Sequence, residues 1–176
     1  MGLIWRIHIE IPQRKGDAVI VKGDEEPGRG RPEKISKLKP AFQKEGTITA
    51  ANASSINDGA AALVVASEDE ANLLNIQPIC RIVAQASAAH EPKYFTTAPS
   101  KAMQKVLNKA GMSIDQIDLF EINEAFSVVA LAAIRELKLD QEKVNIFGSG
   151  ISLGHPIGAS GTRIVMSLMN GLERKK

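Results

Sequence analysis

The amino-acid sequence predicts an α/β protein, on three observations. Amphipathic segments of helical period alternate with short runs rich in Ile and Val, and glycine, proline or Asn-Asp punctuation separates them. The glycine-rich segments fall between a strand-like run and a helix-like one, where open α/β sheets place their ligands. Residues 3–11 alternate and stop at Pro12, which reads as an edge strand; Lys15-Gly16-Asp17 is a turn, and Ala18–Val21 is a second strand, so the two form a hairpin. From Gly23 to Lys44 the chain is polar, with Asp24, Glu25 and Glu26 followed by Arg29, Arg31, Lys34, Lys37, Lys39 and Lys44. That charge run reads either as a solvated loop or as a surface facing phosphate.

Thr47–Ser55 is small and polar. Asn57-Asp58-Gly59 has the wording of a hairpin turn, but the alanines that follow argue for a short buried helix giving way to a strand at Leu63-Val64-Val65. Ser67 is an N-cap for a helix over Glu68–Asn75, with acids in its first turn. Pro78 punctuates, and Ile79–Val83 is a strand in which Cys80 is expected as a small buried hydrophobe. Ser100–Ala110 is amphipathic, with Met103, Val106 and Leu107 inward, Lys101, Lys105 and Lys109 outward, and Gly111 as its stop. Ser113 opens a turn into a strand at Ile117–Ile122. The helix predicted for Glu124–Leu137 is apolar nearly all round and is expected to be buried on most faces. Val144–Phe147 is a further strand, and Ser160–Leu172 is a closing helix with Ile164, Val165, Leu168 and Met169 inside.

Composition narrows the class. A chain of 176 residues that is 44% hydrophobic with a net charge of +2 can bury a core and is not a nucleic-acid-binding tail. Its single cysteine excludes a disulfide framework and cysteine-based zinc spacing, which suits an intracellular setting. No apolar run reaches membrane-spanning length, and Met1–Arg6 reads neither as a signal peptide nor as a myristoylation signal.

The segment Gly148–Gly161 places five glycines around His155. Glycines let backbone approach a ligand closely, and a helix N-terminus offers free N–H groups to a thioester oxygen or an anion. A histidine in that field is expected to work as a neutral base or hydrogen-bond donor; the plainer reading is a loop histidine with a structural hydrogen bond. Asn123, at the other junction, reads as an N-cap or as a side chain that holds a donor or a water at an oxyanion. Gly148, Gly150 and Gly154 also suggest a dinucleotide-binding turn, but no acidic residue on a following strand is present to hold a ribose.

Four ordered motifs, Asn52-Ala53-Ser54, Asn57-Asp58-Gly59-Ala60-Ala61-Ala62, Asn123-Glu124-Ala125-Phe126 and Ser152-Leu153-Gly154-His155-Pro156-Ile157-Gly158-Ala159-Ser160-Gly161, resemble the carboxy-terminal half of the thiolase family, from about His8 to the last helix. Asp24-Glu25-Glu26, Phe42-Gln43-Lys44-Glu45 and Arg81-Ile82-Val83-Ala84 are most similar to its mitochondrial acetoacetyl-CoA branch. The resemblance implies a layered αβαβα architecture, here incomplete. Residues 1–76 would end the amino-terminal half with part of the loop that covers coenzyme A, and residues 77–176 would be a carboxy-terminal domain truncated before its final cysteine segment. The activity implied is acetyl transfer by reversible Claisen condensation and thiolysis of acetoacetyl-CoA, through a cysteine thiolate that a neutral His155 activates. Asn123 and its water would share the oxyanion with that ring. Lys34 and Ser54 would touch coenzyme A, and the backbone carbonyls of Ala50, Ala51, Ala53 and Ile151 match those that hold a potassium ion. No other cofactor, nucleic acid or membrane is implied; complete thiolases are homo-oligomers, and the compartment implied is mitochondrial, with a cytoplasmic setting as the alternative. In complete thiolases the nucleophilic cysteine lies upstream of these motifs and the acid/base cysteine in a Cys-x-Gly-Gly segment after the last helix. The expectation is therefore a chain inactive by itself, and the alternative a catalytically dead thiolase fragment acting as an interaction or regulatory module. Ser149 and Gly150 depart from the usual Gly-Gly-Ala.

Overall fold

The computed structural model describes residues 9–175. The predicted strand before Ile9 and the start of the family resemblance at His8 lie outside them. The chain divides between Leu38 and Lys39 into two compact units.

In the first unit, β1 (Ile9–Ile11) and β2 (Val19–Val21) form an antiparallel hairpin in the register Ile9–Val21, Glu10–Ile20, Ile11–Val19. Gly16 takes φ +85° in the connection, a conformation that costs a residue without Cβ little. A single helical turn, α1 (Glu26–Arg29), has Pro27 as its second residue, and a 3₁₀ turn over Pro32–Lys37 carries Lys34. Arg29 pairs with Glu25 and Glu26 at 3.8 Å on an exposed surface, where such pairs add little.

In the second unit, α2 (Glu68–Leu73) starts where its cap predicts, with Ser67 Oγ accepting from Glu70 N at 3.1 Å. It ends two residues short of Asn75, which turns the chain at φ +52°. Helix α3 (Ala98–Ala110) has its lysines exposed and Met103, Val106 and Leu107 half-buried; Gly111 at φ +65° ends it. A 3₁₀ turn, Ile114–Gln116, is closed by a capping box with Ser113. Helix α4 spans Ser127–Leu137, a single turn α5 spans Gly150–Leu153, and α6 spans Ile157–Lys175, three residues longer at each end than its apolar period indicated. Ile122, Val129, Ala130, Ala133 and Leu139 form the core, with Met103, Phe120, Phe126 and Val144 packed against it.

Several predicted elements differ from the structure. The stretch 60–66 holds neither helix nor strand, and Val64 is fully exposed. Ile79–Val83 forms no strand either, and Cys80 is exposed instead of buried. Ile117–Ile122 and Val144–Phe147 reduce to one parallel pairing of Phe120 with Val144, in which Phe120 N donates to Lys143 O at 2.8 Å and Asn145 N to Phe120 O at 2.9 Å. A strand exists only where a second backbone accepts its hydrogen bonds, and among the described residues no neighbour extends these pairings. Helix α4 buries Val129, Ala130 and Ala133 but leaves Leu131 56% exposed, so it is not enclosed on most faces. In α6, Val165 is exposed while Ile164, Leu168 and Met169 are half-buried.

Candidate active site

The site is built where three segments of the second unit meet: residues 52–59, residues 121–126 and the glycine loop 148–161. Helix α4 begins at Ser127, so Asn123 precedes it by four residues and is not its N-cap. The reason is tertiary. Ser54 N donates to Ala125 O at 3.0 Å and Ser127 N to Asn52 O at 3.0 Å, an antiparallel pairing of Ala53 with Phe126 that holds residues 124–126 out of the helix.

Asn145 and Glu124 fix the backbone around Asn123. Asn145, in the left-handed region at φ +50°, accepts from Ile122 N at 2.7 Å and donates to Ile122 O at 3.0 Å and to Glu124 Oε1 at 2.8 Å. Glu124 Oε2 accepts from Ile151 N at 3.2 Å. Ser149, 1% exposed, donates its hydroxyl to Ile122 O at 3.0 Å. Next to it Gly150 lies so close to the Glu124 carbonyl that a Cβ would sit 2.6 Å from that oxygen. The Ser149-Gly150 wording is thus accommodated by a tie to residue 122 and a close approach to residue 124. Neither tie was anticipated from sequence; Asn145 could have been suspected only as a residue type that tolerates positive φ.

His155 is half-buried, two residues before α6. Its ring is held at both nitrogens. Ser160 Oγ donates to Pro156 O at 3.1 Å, so the oxygen lone pair faces His155 Nδ1 at 2.7 Å and Nδ1 carries the ring proton. Nε2 is left as an acceptor, with Asn123 Nδ2 at 3.4 Å. Asn123 Oδ1 is buried without a protein partner among the described residues, and a buried acceptor of this kind calls for a donor. Two residues away, burial, and then the charge of Glu124, push Glu121 up to about 7, against the opposing pull of Arg163. Arg163 itself donates to Gly154 O at 2.8 Å, tying the glycine loop to α6.

Of the residues singled out from sequence, the structure therefore brings Asn123 and His155 together. Ser54 is tied to Ala125, two residues from Asn123, its hydroxyl donating to Ala125 O at 2.9 Å. Ala50, Ala51 and Ala53 belong to the adjoining turn, and among the described residues their carbonyls accept no bond in the backbone pairings of the turns and loops. Ile151 reaches the same neighbourhood through Glu124. Lys34 is exposed and belongs to the first unit.

The family model described as the thiolase C-terminal domain matches residues 76–176, and that of the thiolase N-terminal domain matches residues 6–69. The chain is a member of the thiolase family. It is 52% identical over 167 residues to an acetyl-CoA acetyltransferase of Yarrowia lipolytica, covering 95% of this chain and 42% of that relative. It is 54% identical over 157 residues to the mitochondrial acetyl-CoA acetyltransferase of Bos taurus, covering 89% of this chain and 37% of the other. Among solved structures, the acetyl-CoA acetyltransferase of Bacillus anthracis superimposes with a TM-score of 0.85 at 46% identity over 96% of this chain and 43% of that one. A thiolase of Ascaris suum in complex with coenzyme A gives 0.78 at 44% identity over 86% and 40%. The thiolase α/β fold is thereby established for this chain, which spans about two fifths of the length of these relatives.

Proposed function

We propose that this chain supplies the histidine–asparagine side of a thiolase reaction centre, for acetyl transfer between coenzyme A thioesters such as acetoacetyl-CoA. The observation that carries the reading is the approach of Asn123 Nδ2 to His155 Nε2 at 3.4 Å, with Nδ1 anchored on Ser160. A ring protonated at Nδ1 presents an unprotonated Nε2, the form that takes a proton from a thiol. Once it has done so, Nε2–H becomes a donor toward the oxygen of the attacked thioester. The orphaned Asn123 Oδ1 suits a water that adds a second donor there, so negative charge on that oxygen meets two preorganised groups.

Residues 1–76 and 77–176 are taken as the two parts of this contribution. Lys34 in the first unit would meet a coenzyme A phosphate, and Ser54 in the second would accept a hydrogen bond from coenzyme A. Free carbonyls at Ala50, Ala51 and Ala53 suit a potassium ion, which carbonyl oxygens bind in place of its hydration shell; with Ile151 O it would stiffen the loop beside Glu124 and take no part in proton transfer. The bovine relative's printed compartment supports a mitochondrial location, with a cytoplasmic setting as the alternative.

The thiolate has to come from elsewhere. Cys80 is the single cysteine of the 176 residues, and it lies exposed in a segment with no hydrogen bond to the site among the described residues. Purified 1–176 is therefore expected to show no thiolysis of acetoacetyl-CoA with free coenzyme A. Within a thiolase assembly that supplies the cysteines, His155→Ala is expected to lower kcat by about two to four powers of ten. Turnover by 1–176 alone that His155→Ala abolishes would overturn the assignment and bring Cys80 into the mechanism. Exposed Val64, Val65, Ile79, Ile82 and Val83 favour a second reading, a chain that works through association. A monodisperse monomer in light scattering, with no binding of a hydrophobic dye, would sink it.

A further inference from the structure

Residues 55–59 grip the backbone of the reactive histidine at three successive positions. At Gly154, φ is +78° and ψ 170°, and a Cβ built there would overlap the Asn57 side-chain amide. At His155, the backbone N–H is shared between Ser55 O at 2.9 Å and Asn57 Oδ1 at 3.2 Å. At Pro156, the ring lies against Gly59, where a Cβ would come within 2.7 Å of Cγ. Asn57 Oδ1 also accepts the Ser55 hydroxyl at 2.7 Å, so one oxygen fastens both the strip and the loop. Asn57 and His155 are 98 residues apart in sequence, and none of these contacts is made to the imidazole.

We infer that Asn57 is a positioning residue for His155, acting through its side-chain oxygen. The imidazole reaches Ser160 Oγ and Asn123 Nδ2 together only for one placement of the His155 backbone, because the ring has two torsions and both nitrogens are engaged. Arg163 ties the loop at Gly154 O, and the Ser55 carbonyl takes the His155 N–H. The second acceptor, wedged against a glycine that has no side chain, adds a further bond to the His155 N–H itself. Its consequence for acyl transfer rests on the role proposed above for His155; the positioning itself does not, and is measured without turnover.

The test uses the full 176-residue chain labelled with ¹⁵N-histidine. Long-range ¹H–¹⁵N spectra, in solution or under magic-angle spinning, read the ring, and hydrogen exchange reads the His155 amide; His155→Gln assigns the signals among the three histidines. Asn57→Ala is expected to replace the wild-type ring pattern by a mixture of tautomers and to speed exchange of the His155 amide about tenfold, the scale of one lost hydrogen bond. Asn57→Asp keeps an acceptor oxygen in the same place and is expected to restore both readings toward wild type. Gly111→Ala, strained at the far end of α3 with open space around it, is expected to change neither. Should Asn57→Ala fail to fold, Ser55→Ala, which removes the hydroxyl that holds Asn57 Oδ1 in place, is expected to speed the same exchange. Wild-type ring signals and exchange in Asn57→Ala or, where that variant is lost, in Ser55→Ala would overturn the inference, as would Asn57→Asp behaving like Asn57→Ala. Loss of acyl transfer in an assembled thiolase with these spectra unchanged would instead count against the functional reading.

Discussion

Replacing Gly154 by alanine adds one methyl group at the point where backbone conformation and side-chain packing both exclude it. With φ +78° and ψ 170°, the residue occupies a region that only glycine enters freely, and an L side chain there costs about 1–3 kcal/mol. The new Cβ would also overlap Asn57, whose amide must withdraw and give up the hydrogen bonds it accepts from Ser55 and His155. Each is worth about 0.5–1.5 kcal/mol net. The expected destabilisation is therefore about 2–6 kcal/mol, a large share of the ~5–15 kcal/mol typical of a folded domain. Urea unfolding followed by far-ultraviolet circular dichroism measures it, with Gly111→Ala as the reference. Gly111 is also left-handed, at φ +65°, but a Cβ there meets nothing within 4 Å, so its cost is backbone strain alone, about 1–2 kcal/mol. If Gly154→Ala is no less stable than Gly111→Ala, the close approach of Asn57 to Gly154 is not what holds this loop.

Further outcomes follow from the same geometry. Ser160→Ala removes the oxygen that accepts from His155 Nδ1, so the ¹⁵N spectrum of the ring is expected to lose its Nδ1-protonated pattern; an unchanged ring would show that Ser160 does not set the tautomer. Glu121 binds its proton more tightly folded than unfolded, since its value rises from an ordinary 4.5 to about 7. The stability this provides is complete below about pH 4.5 and is lost as pH rises to about 7. Glu121→Gln is accordingly expected to flatten stability against pH across that window and to gain roughly 1–2 kcal/mol at pH 8 after allowance for solvent screening; equal slopes in both proteins would contradict the assignment. In an assembled thiolase, Lys34→Glu is expected to weaken coenzyme A binding, and added salt to weaken the parent in the same direction, because exposed charge pairs are screened. Binding measured by calorimetry that ignores both changes would assign Arg29–Lys44 to solvent.

Helix α3, the start of α2 and the run of α6 were legible in the residues because a helix satisfies its hydrogen bonds within its own segment. Ser67, Gly111 and the lysine row of α3 carry that information locally. The strands were not legible in the same way. Leu63–Val65, Ile79–Val83 and Val144–Phe147 have the composition of strands, but pairing requires a second backbone, and in the described structure only Val144 finds one. Likewise Cys80 has the composition of a core residue and no core around it.

The glycine loop and His155 stood out in sequence because positive φ and close backbone approach demand glycine, as Gly148 and Gly154 bear out. By local pattern Asn123 was an ambiguous residue before a helix, and only the family resemblance implied its place at the oxyanion. Its place beside His155 depends on Asn145, Glu124 and Asn57, polar side chains 21 to 98 residues away along the chain from the groups they hold. By itself, then, the sequence determined helix α3, the start of α2, the run of α6, the glycine-bearing loop and the family, since each rests on local propensity or on an ordered set of motifs. Only the tertiary structure decided that residues 124–126 stay out of the helix and that Ser160 and Asn123 meet the two ring nitrogens of His155. Both depend on hydrogen bonds between segments whose meeting no local pattern encodes.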